Sequence, residues 1–209
     1  MKRADELTEL VLGSDWMRHM LMVVTALDLP DCWIGAGAVR DLVWDTRFGD
    51  GFDPASVEDV DVVFFDPDDL SAEHEHDIER RLHDQEPSVE WDVKNQARVH
   101  LWYETRFGGA AQPLTSTTDG VATWPEIATA IAVRLRPGPT GCDPALEIAA
   151  PYGLDDLLDG IWRRNRNRHF NRVTDADYHA RIERKQPHQR WPGVAVLDES
   201  TPPSGDAHG

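Results

Sequence analysis

The segment Val57 to Phe65 alternates acidic and apolar residues, and this alternation constrains the fold of the chain more than any other feature. In a β-strand, side chains two residues apart point to the same face. Asp59 and Asp61 therefore share one face, with Cα atoms roughly 7 Å apart. The apolar residues between and after them point to the opposite face. The segment predicts a strand that buries one face in a core and carries two carboxylates on the other.

Two explanations fit such a pair of carboxylates. They can lie at a solvated strand edge or act as a cap. These two roles are the common ones for acids at the start of a strand. Alternatively, because two neighbouring carboxylates repel each other, they can share a cation. Carboxylate oxygens are the ligands preferred by Mg²⁺ and Mn²⁺. The pattern alone leaves both explanations open.

A glycine turn precedes this strand by about twenty residues. The short apolar segment at residues 32–34 enters Gly35-Ala36-Gly37, and a helical pattern follows to about residue 47. A glycine turn that opens a helix presents free backbone N–H groups, and these suit a phosphate. The two features together predict a triphosphate at the turn and divalent ions at the strand.

The order and spacing of these residues resemble a known superfamily. The run Gly37-Ala38-Val39-Arg40-Asp41-Leu42, followed by Asp59-Val60-Asp61-Val62, is similar to the signature of tRNA CCA-adding enzymes and bacterial poly(A) polymerases, which are nucleotidyltransferases of the DNA polymerase β type. Those enzymes usually have adjacent glycines, whereas Ala36 separates Gly35 from Gly37 here. Further runs resemble bacterial nucleotidyltransferase-family proteins of about this length, and the resemblance covers about residues 10 to 195. These runs lie at residues 36–40, 91–100, 124–126 and 150–154.

The resemblance implies an α+β fold, a mixed β-sheet flanked by helices, with a C-terminal helical extension. It implies a single domain over residues 1–195, with a core at about 30–150 and the extension at about 151–195. The Pro-, Ser- and Gly-rich residues 196–209 are predicted to be a disordered tail.

The resemblance also implies a reaction and a set of site residues. The reaction is transfer of a nucleoside monophosphate from an NTP to an acceptor hydroxyl, with release of pyrophosphate. Asp59 and Asp61 would bind two Mg²⁺ or Mn²⁺ ions. A third carboxylate is required on a neighbouring strand, and Asp92 is the best candidate. Glu90 is its rival on the same face, and a solvated strand-end acid is the alternative for Asp92.

Phosphate binding is assigned to the glycine turn, namely Gly35, Ala36 and Gly37, and to two cations. Arg40 can reach a phosphate, or it can pair with Asp59 or Asp61 and hold the site in shape. Lys94, which follows the strand of Asp92, would supply compensating charge near the triphosphate or the acceptor.

The composition limits the choice of partner. The 209 residues carry a net charge of −17, from 21 basic and 38 acidic side chains. This balance argues against broad, non-specific nucleic-acid binding, which depends on Lys and Arg. The acceptor stays open: a small molecule, a protein hydroxyl or an RNA end. The basic stretch Arg163 to His169 can bind an acceptor or a triphosphate, or it can be a cation cluster at a helix C-terminus.

The remaining features are those of an ordinary globular chain. Cys32 and Cys142 are not in a zinc-binding spacing, and both are predicted to be reduced thiols. No apolar segment approaches 18 residues and there is no signal-peptide pattern, so we expect a cytoplasmic protein without a membrane partner. Two alternatives to a transferase stay open: a non-catalytic nucleotide-binding or regulatory, antitoxin-like protein with the same fold, and an enzyme that hydrolyses the NTP.

Overall fold

A mixed β-sheet forms the centre of the molecule. The computed structural model describes residues 2–107, 111–136, 144–166 and 174–197, with the backbone alone for 104–107. Within these residues the strand order is β3-β2-β1-β4-β5, and all neighbours are antiparallel except β2 and β3, which are parallel. The strands are β1 (Trp33–Gly35), β2 (Val60–Phe64), β3 (Trp91–Asn95), β4 (Ala132–Arg136) and β5 (Ala145–Ala149).

Helices flank this sheet, and a small parallel pair of strands lies in the C-terminal part. The α+β class and the mixed sheet with flanking helices are as the sequence predicts. The small pair is β6 (Ile161–Arg163) with β7 (Ala195–Leu197). The helices are α1 (Lys2–Gly13), α2 (Asp15–Thr25), α3 (Ala36–Phe48), α4 (Ala72–Gln85), α5 (Val99–Phe107), α6 (Thr117–Val121), α7 (Asp155–Leu158), α8 (Asp175–Lys185) and α9 (Pro187–Arg190).

The alternation in β2 produces the expected division between core and site. Val60, Val62 and Phe64 have no exposed surface and pack in the main hydrophobic core, whereas Asp61 is half-buried on the other face. Ser14 and Ser71 each precede a helical pattern and are predicted to be N-caps, and both predictions are confirmed. Ser14 caps α2 by accepting a hydrogen bond from the Met17 N–H, and Ser71 caps α4 in the same way.

The sequence predicts a helix from Leu154 to Trp162, with acids in its first turn, and a short helix that starts at a Thr123 cap. Both predictions are wrong. The helix expected from Leu154 to Trp162 ends at Leu158, because the chain turns at Gly160, which has a φ of 69° and packs against the Phe48 ring. The continuation is strand β6. The helix expected to start at Thr123 is instead a single 3₁₀ turn, Ile127–Thr129.

The second error has a local cause in the loop before it. The composition of residues 107–123 predicts a loop, but Ser116 caps the short helix α6 within them. The Thr123 hydroxyl donates to the Gly120 carbonyl, so Thr123 belongs to the turn that follows α6 and does not start the next helix. Gly108, Gly109, Cys142, residues 167–169 of the basic stretch and residues 198–209 of the tail lie outside the described residues.

No helix among the described residues is long and apolar enough to span a membrane.

Candidate active site

The glycine turn joins β1 to α3 and holds Asp61 in place. The Gly37 N–H donates a hydrogen bond to the Asp61 carboxylate, and the Ala36 N–H donates to the Ile131 carbonyl at 3.1 Å. Gly35 is required for packing, since a Cβ there would lie 2.4 Å from the Trp124 ring. Phosphate binding by this turn stays a prediction, and a phosphate at these two N–H groups would have to replace the bonds that they already make.

Strand pairing brings the predicted carboxylates together. Asp61 is directly opposite Asp92 in the parallel β2–β3 pair and opposite Gly35 in the antiparallel β1–β2 pair. Asp59 immediately precedes β2, and its Oδ1 lies 4.0 Å from where a Cβ on Gly37 would be. All three acids line one cavity of about 280 Å³, which we call the site cavity.

The electrostatics of the acids follow from burial and mutual repulsion. Burial, together with the charges of Asp59 and Asp92, raises the pKa of Asp61 from its ordinary 3.8 to about 7. Burial also raises the pKa of Asp59, although the charge of Lys185 partly opposes it. A cation placed between these carboxylates would relieve the repulsion that raises both pKa values.

Lys94 meets one of these acids directly. Its ammonium group donates a hydrogen bond to the Asp92 carboxylate, and both side chains are partly exposed. Asp92 therefore has a cation partner of its own within β3. The predicted role of Lys94 as compensating charge agrees with this contact, whereas contact with a triphosphate or acceptor stays a prediction.

Arg40 belongs to the N-terminal part of α3 and is almost fully buried. Of its two possible roles, pairing with Asp59 or Asp61 is not what the structure shows, because its Nε and Nη2 both donate to Asp41 Oδ1, at 2.8 and 2.6 Å. Its guanidinium lies 5.1 to 5.8 Å from three indole centroids. Arg40 Nη1 has no hydrogen-bond partner within the described chain, and the residue lines the site cavity. Those indoles are Trp44, Trp162 and Trp191.

Helix α8 supplies three further cations to the site cavity, and the sequence reasoning missed them. Arg181, Arg184 and Lys185 line the same cavity as the acids, and we call them the α8 cations. Their spacing of three and four residues places them on one helix face. Lys185 Nζ lies 2.6 Å from Glu58, and Arg184 lies 3.5 Å from the same carboxylate. The periodicity of the helix was visible in the sequence, but nothing there indicated which element it would face.

Buried contacts fix α8 against the rest of the site. Thr174 and Asp177 form a capping box at its start, as the sequence predicted for the Thr174 cap. Arg181 Nε donates to Glu126 at 2.5 Å, and Glu126 is 1% exposed. Because breaking a buried ion pair is costly, this contact fixes the position of the helix.

Two other candidates from the sequence, Glu90 and the basic stretch, either lie outside the site cavity or pair with a neighbouring side chain. Glu90 is exposed and lines a different cavity from that of Asp92. In the basic stretch, Arg163 forms two hydrogen bonds with Asp156.

A larger cavity, of about 520 Å³, lies at the other end of β1 and contains none of the predicted site residues. Arg134 and Arg136 share one face of their strand in the sequence pattern, which suits ion pairs across the strands or a phosphate clamp; the structure has the ion pairs, both with Glu147.

The donor set fits a divalent ion in its chemistry. Asp59, Asp61 and Asp92 offer carboxylate oxygens in one cavity, and hard oxygen ligands suit Mg²⁺. In the present conformation, no three acid, His or Cys side chains among the described residues are arranged around a common ion position. Asp92 is turned towards Lys94, so binding an ion by all three acids requires that this contact be exchanged.

Comparison with known proteins agrees with this architecture. A family model described as nucleotidyltransferase matches residues 22–196. An NMR structure described as revealing a CCA-adding enzyme head domain is 30% identical with a TM-score of 0.73, and the match covers 93% of this chain and 95% of that chain. A search of curated proteins found no significant match.

A second solved structure shares the fold alone. It is a Thermotoga maritima CCA-adding enzyme complexed with tRNA-CCA, 14% identical with a TM-score of 0.53. The match covers 93% of this chain but 43% of that one. The extent of the family match and the 30% identity over nearly the whole chain decide the classification: this chain belongs to the nucleotidyltransferase family.

Proposed function

We propose that the protein is a metal-dependent nucleotidyltransferase that transfers a nucleoside monophosphate from an NTP to an acceptor hydroxyl. The observation that carries this proposal is the site cavity itself, which is lined by the carboxylates of Asp59, Asp61 and Asp92 and by the three α8 cations. A pure nucleotide binder needs the cations but has no use for three acids that repel one another. Membership of the nucleotidyltransferase family supports the same reaction class.

In this proposal Asp59, Asp61 and Asp92 hold Mg²⁺ or Mn²⁺. Two such ions, when bound, stabilise the charge on the attacking and leaving oxygens. The Gly37 N–H keeps the Asp61 carboxylate oriented towards the cavity. Arg40 lines the cavity, has one Nη1 without a hydrogen-bond partner, and adds positive charge to the site.

The α8 cations would bind the triphosphate. Arg184 and Lys185 share the single carboxylate of Glu58, and Arg184 is largely exposed. Their charges can therefore turn to phosphate oxygens at the cost of a partly exposed ion pair, which contributes little to stability. Arg181 stays on Glu126 and keeps the helix in position.

The transfer step is a substitution at the α-phosphorus. The acceptor oxygen forms a bond to this phosphorus, the bond to the β-phosphate oxygen breaks, and pyrophosphate leaves with its electron pair. Asp92 lies opposite Asp61 and is exposed enough to accept the acceptor proton once Lys94 has turned away.

The test is transfer of label from α-labelled ATP, CTP, GTP and UTP to a cell extract with Mg²⁺. Wild type is compared with Asp61→Asn and with Glu73→Gln, an exposed α4 acid outside the cavity. We expect Asp61→Asn to lose about a thousandfold of activity or more, equivalent to roughly 4 kcal/mol, and Glu73→Gln to retain it. A labelled product formed equally by Asp61→Asn contradicts the assignment. Metal-independent NTP binding without any turnover would establish the nucleotide-binding alternative instead.

A further inference from the structure

A second cavity meets the site cavity at Asp59, which lines both. It measures about 300 Å³ and lies where β2 and β3 begin, beside the first turn of α2. We call it the side cavity. Because Asp59 is one of the acids assigned to the metal ions, any molecule in the side cavity lies next to the proposed reaction centre.

The two cavities differ in charge. The site cavity is lined by charges of both signs, with Arg40 and the α8 cations beside four carboxylates, whereas Asp59 and Glu90 are the charged residues of the side cavity. Among the described residues that line the side cavity, none is basic. A phosphate group would therefore be repelled there, and a neutral or positively charged molecule would be favoured.

The remaining lining of the side cavity is mainly apolar. Trp16, Ala55 and Val89 contribute to it, and the Trp16 ring packs against Phe52 with ring centroids 5.5 Å apart. Trp16 and Val89 are half-buried and pack against the main core, so they form fixed surfaces. An indole beside two carboxylates suits a compound with an apolar body and an ammonium group.

We propose that the side cavity binds the acceptor, and that the acceptor is a small alcohol or phenol with an apolar body and a positive charge. This inference rests on the proposed function. In phosphoryl transfer the attacking and leaving oxygens lie roughly in line. With the triphosphate on the α8 cations, the attacking hydroxyl must come from elsewhere around the carboxylates, and the side cavity opens beside Asp59. An RNA end, which carries phosphates, does not match the charge of this cavity.

The test uses three probes with the same phenol: tyramine, which is cationic, p-cresol, which is neutral, and 4-hydroxyphenylacetate, which is anionic. Ligand-observed NMR with the full chain and Mg²⁺ measures their affinities. We expect tyramine to bind at least fivefold more tightly than 4-hydroxyphenylacetate, and Glu90→Lys to remove this preference. Equal binding of the three probes to wild type overturns the assigned charge preference.

A matched pair of substitutions locates the binding. Ala55 is exposed in the 3₁₀ turn Pro54–Ser56, so Ala55→Trp fills the side cavity from its rim with little effect on the fold. Ala145→Trp places the same side chain at an exposed position of β5, outside all three cavities described above. We expect Ala55→Trp to weaken tyramine binding at least tenfold and Ala145→Trp to leave it unchanged. Equal binding by both variants overturns the proposal.

Transfer from α-labelled ATP separates failure of this proposal from failure of the proposed function. Labelled tyramine, reduced at least tenfold by Ala55→Trp while ATP affinity stays within twofold, supports both. Transfer to an RNA 3′ end that Ala55→Trp leaves unchanged overturns the acceptor assignment and keeps the transferase. ATP binding with no transfer to any probe or extract component overturns the transferase and the acceptor assignment together.

Discussion

Arg40 and Lys185 both border the carboxylates of the site cavity, and the structure holds them in opposite ways. Arg40 belongs to the glycine-turn helix, is 1% exposed, and lies among three indoles with Asp41 as its partner. Lys185 comes from the end of α8 and contacts Glu58, a carboxylate that it shares with exposed Arg184. The comparison separates two tasks: a buried cation supports the frame of the site, and a cation on an exchangeable partner is available to a ligand.

The largest expected effect concerns the frame. Arg40→Met leaves the buried Asp41 carboxylate with Arg190 as its other partner, and we expect a loss of about 3 kcal/mol in the free energy of unfolding. Urea unfolding measures it. The control is Arg80→Met, which removes an exposed ion pair with Asp77 and should cost less than about 0.5 kcal/mol. Equal losses in the two variants would show that Arg40 has no special structural role.

The next effect concerns the ligand. We expect the double variant Arg184→Ala, Lys185→Ala to bind MgATP about 10- to 100-fold more weakly, which corresponds to roughly 1.4 to 2.7 kcal/mol. Its unfolding free energy should fall by about 1 kcal/mol or less, because the Glu58 carboxylate that loses its partners is 54% exposed and is screened by solvent, although the Lys185 side chain is 11% exposed. Isothermal titration calorimetry measures the affinity. If Arg81→Ala, an exposed α4 position, weakens binding as much, the effect is one of net charge and not of α8.

Stability should also depend on pH through Asp61. Its pKa is raised to about 7 from 3.8, so between these values the folded protein keeps a proton that the unfolded chain has lost. Stability contributed by this group therefore falls as pH rises from about 4 to 7 and is constant above about 8. The variant Asp61→Asn has no proton to lose at this position, so its stability should not fall in this pH range for this reason.

Urea unfolding at pH 5 and pH 8 checks this expectation. The variant should gain about 1 to 3 kcal/mol relative to wild type between the two pH values. Mg²⁺ added at pH 8 should stabilise wild type more than the variant. A constant difference between wild type and variant would mean that Asp61 ionises normally. Asp68→Asn, an exposed acid after β2, tests for a general charge effect.

The smallest expected effect concerns the glycine turn. Ala36 has a φ of 52°, in the left-handed region that favours glycine. Ala36→Gly relieves this strain but adds freedom to the unfolded chain, so we expect a net gain of about 0.5 to 1 kcal/mol. Ala38→Gly, inside α3, should instead lose about 1 kcal/mol. Thermal unfolding distinguishes the two, and a loss in Ala36→Gly would contradict the strain argument.

The sequence predicts best those features that a few consecutive residues determine. The alternation around Asp61 and the turn at Gly37 depend on local geometry, and the structure has both. The α8 cations could not be predicted in this way, because Arg181 meets Glu126 across 55 residues and Lys185 meets Glu58 across 127. Nothing local distinguishes such a helix from a solvated one.

The surroundings of Arg40 show the same limit. Trp44 is one helical turn away on α3, but Trp162 and Trp191 come from the C-terminal part of the chain. The sequence motif identified Arg40 as a candidate site residue. It could not predict the burial of Arg40, because that burial depends on residues outside the motif. The wrong prediction of a helix from Leu154 to Trp162 has a related cause. The helix ends early because Gly160 packs against Phe48, a contact between distant parts of the chain.

The contact between Glu58 and Lys185 has a consequence for the order of events at the site. A triphosphate that took Lys185 and Arg184 would leave Glu58 without those partners, next to Asp59. The negative charge around the carboxylates would then rise at the moment when the nucleotide brings more. A bound divalent ion should therefore increase the affinity for the nucleotide, and a bound nucleotide should increase the affinity for the ion. By thermodynamic linkage, the two affinities must increase by the same factor. We therefore expect the nucleotide and the divalent ion to bind cooperatively.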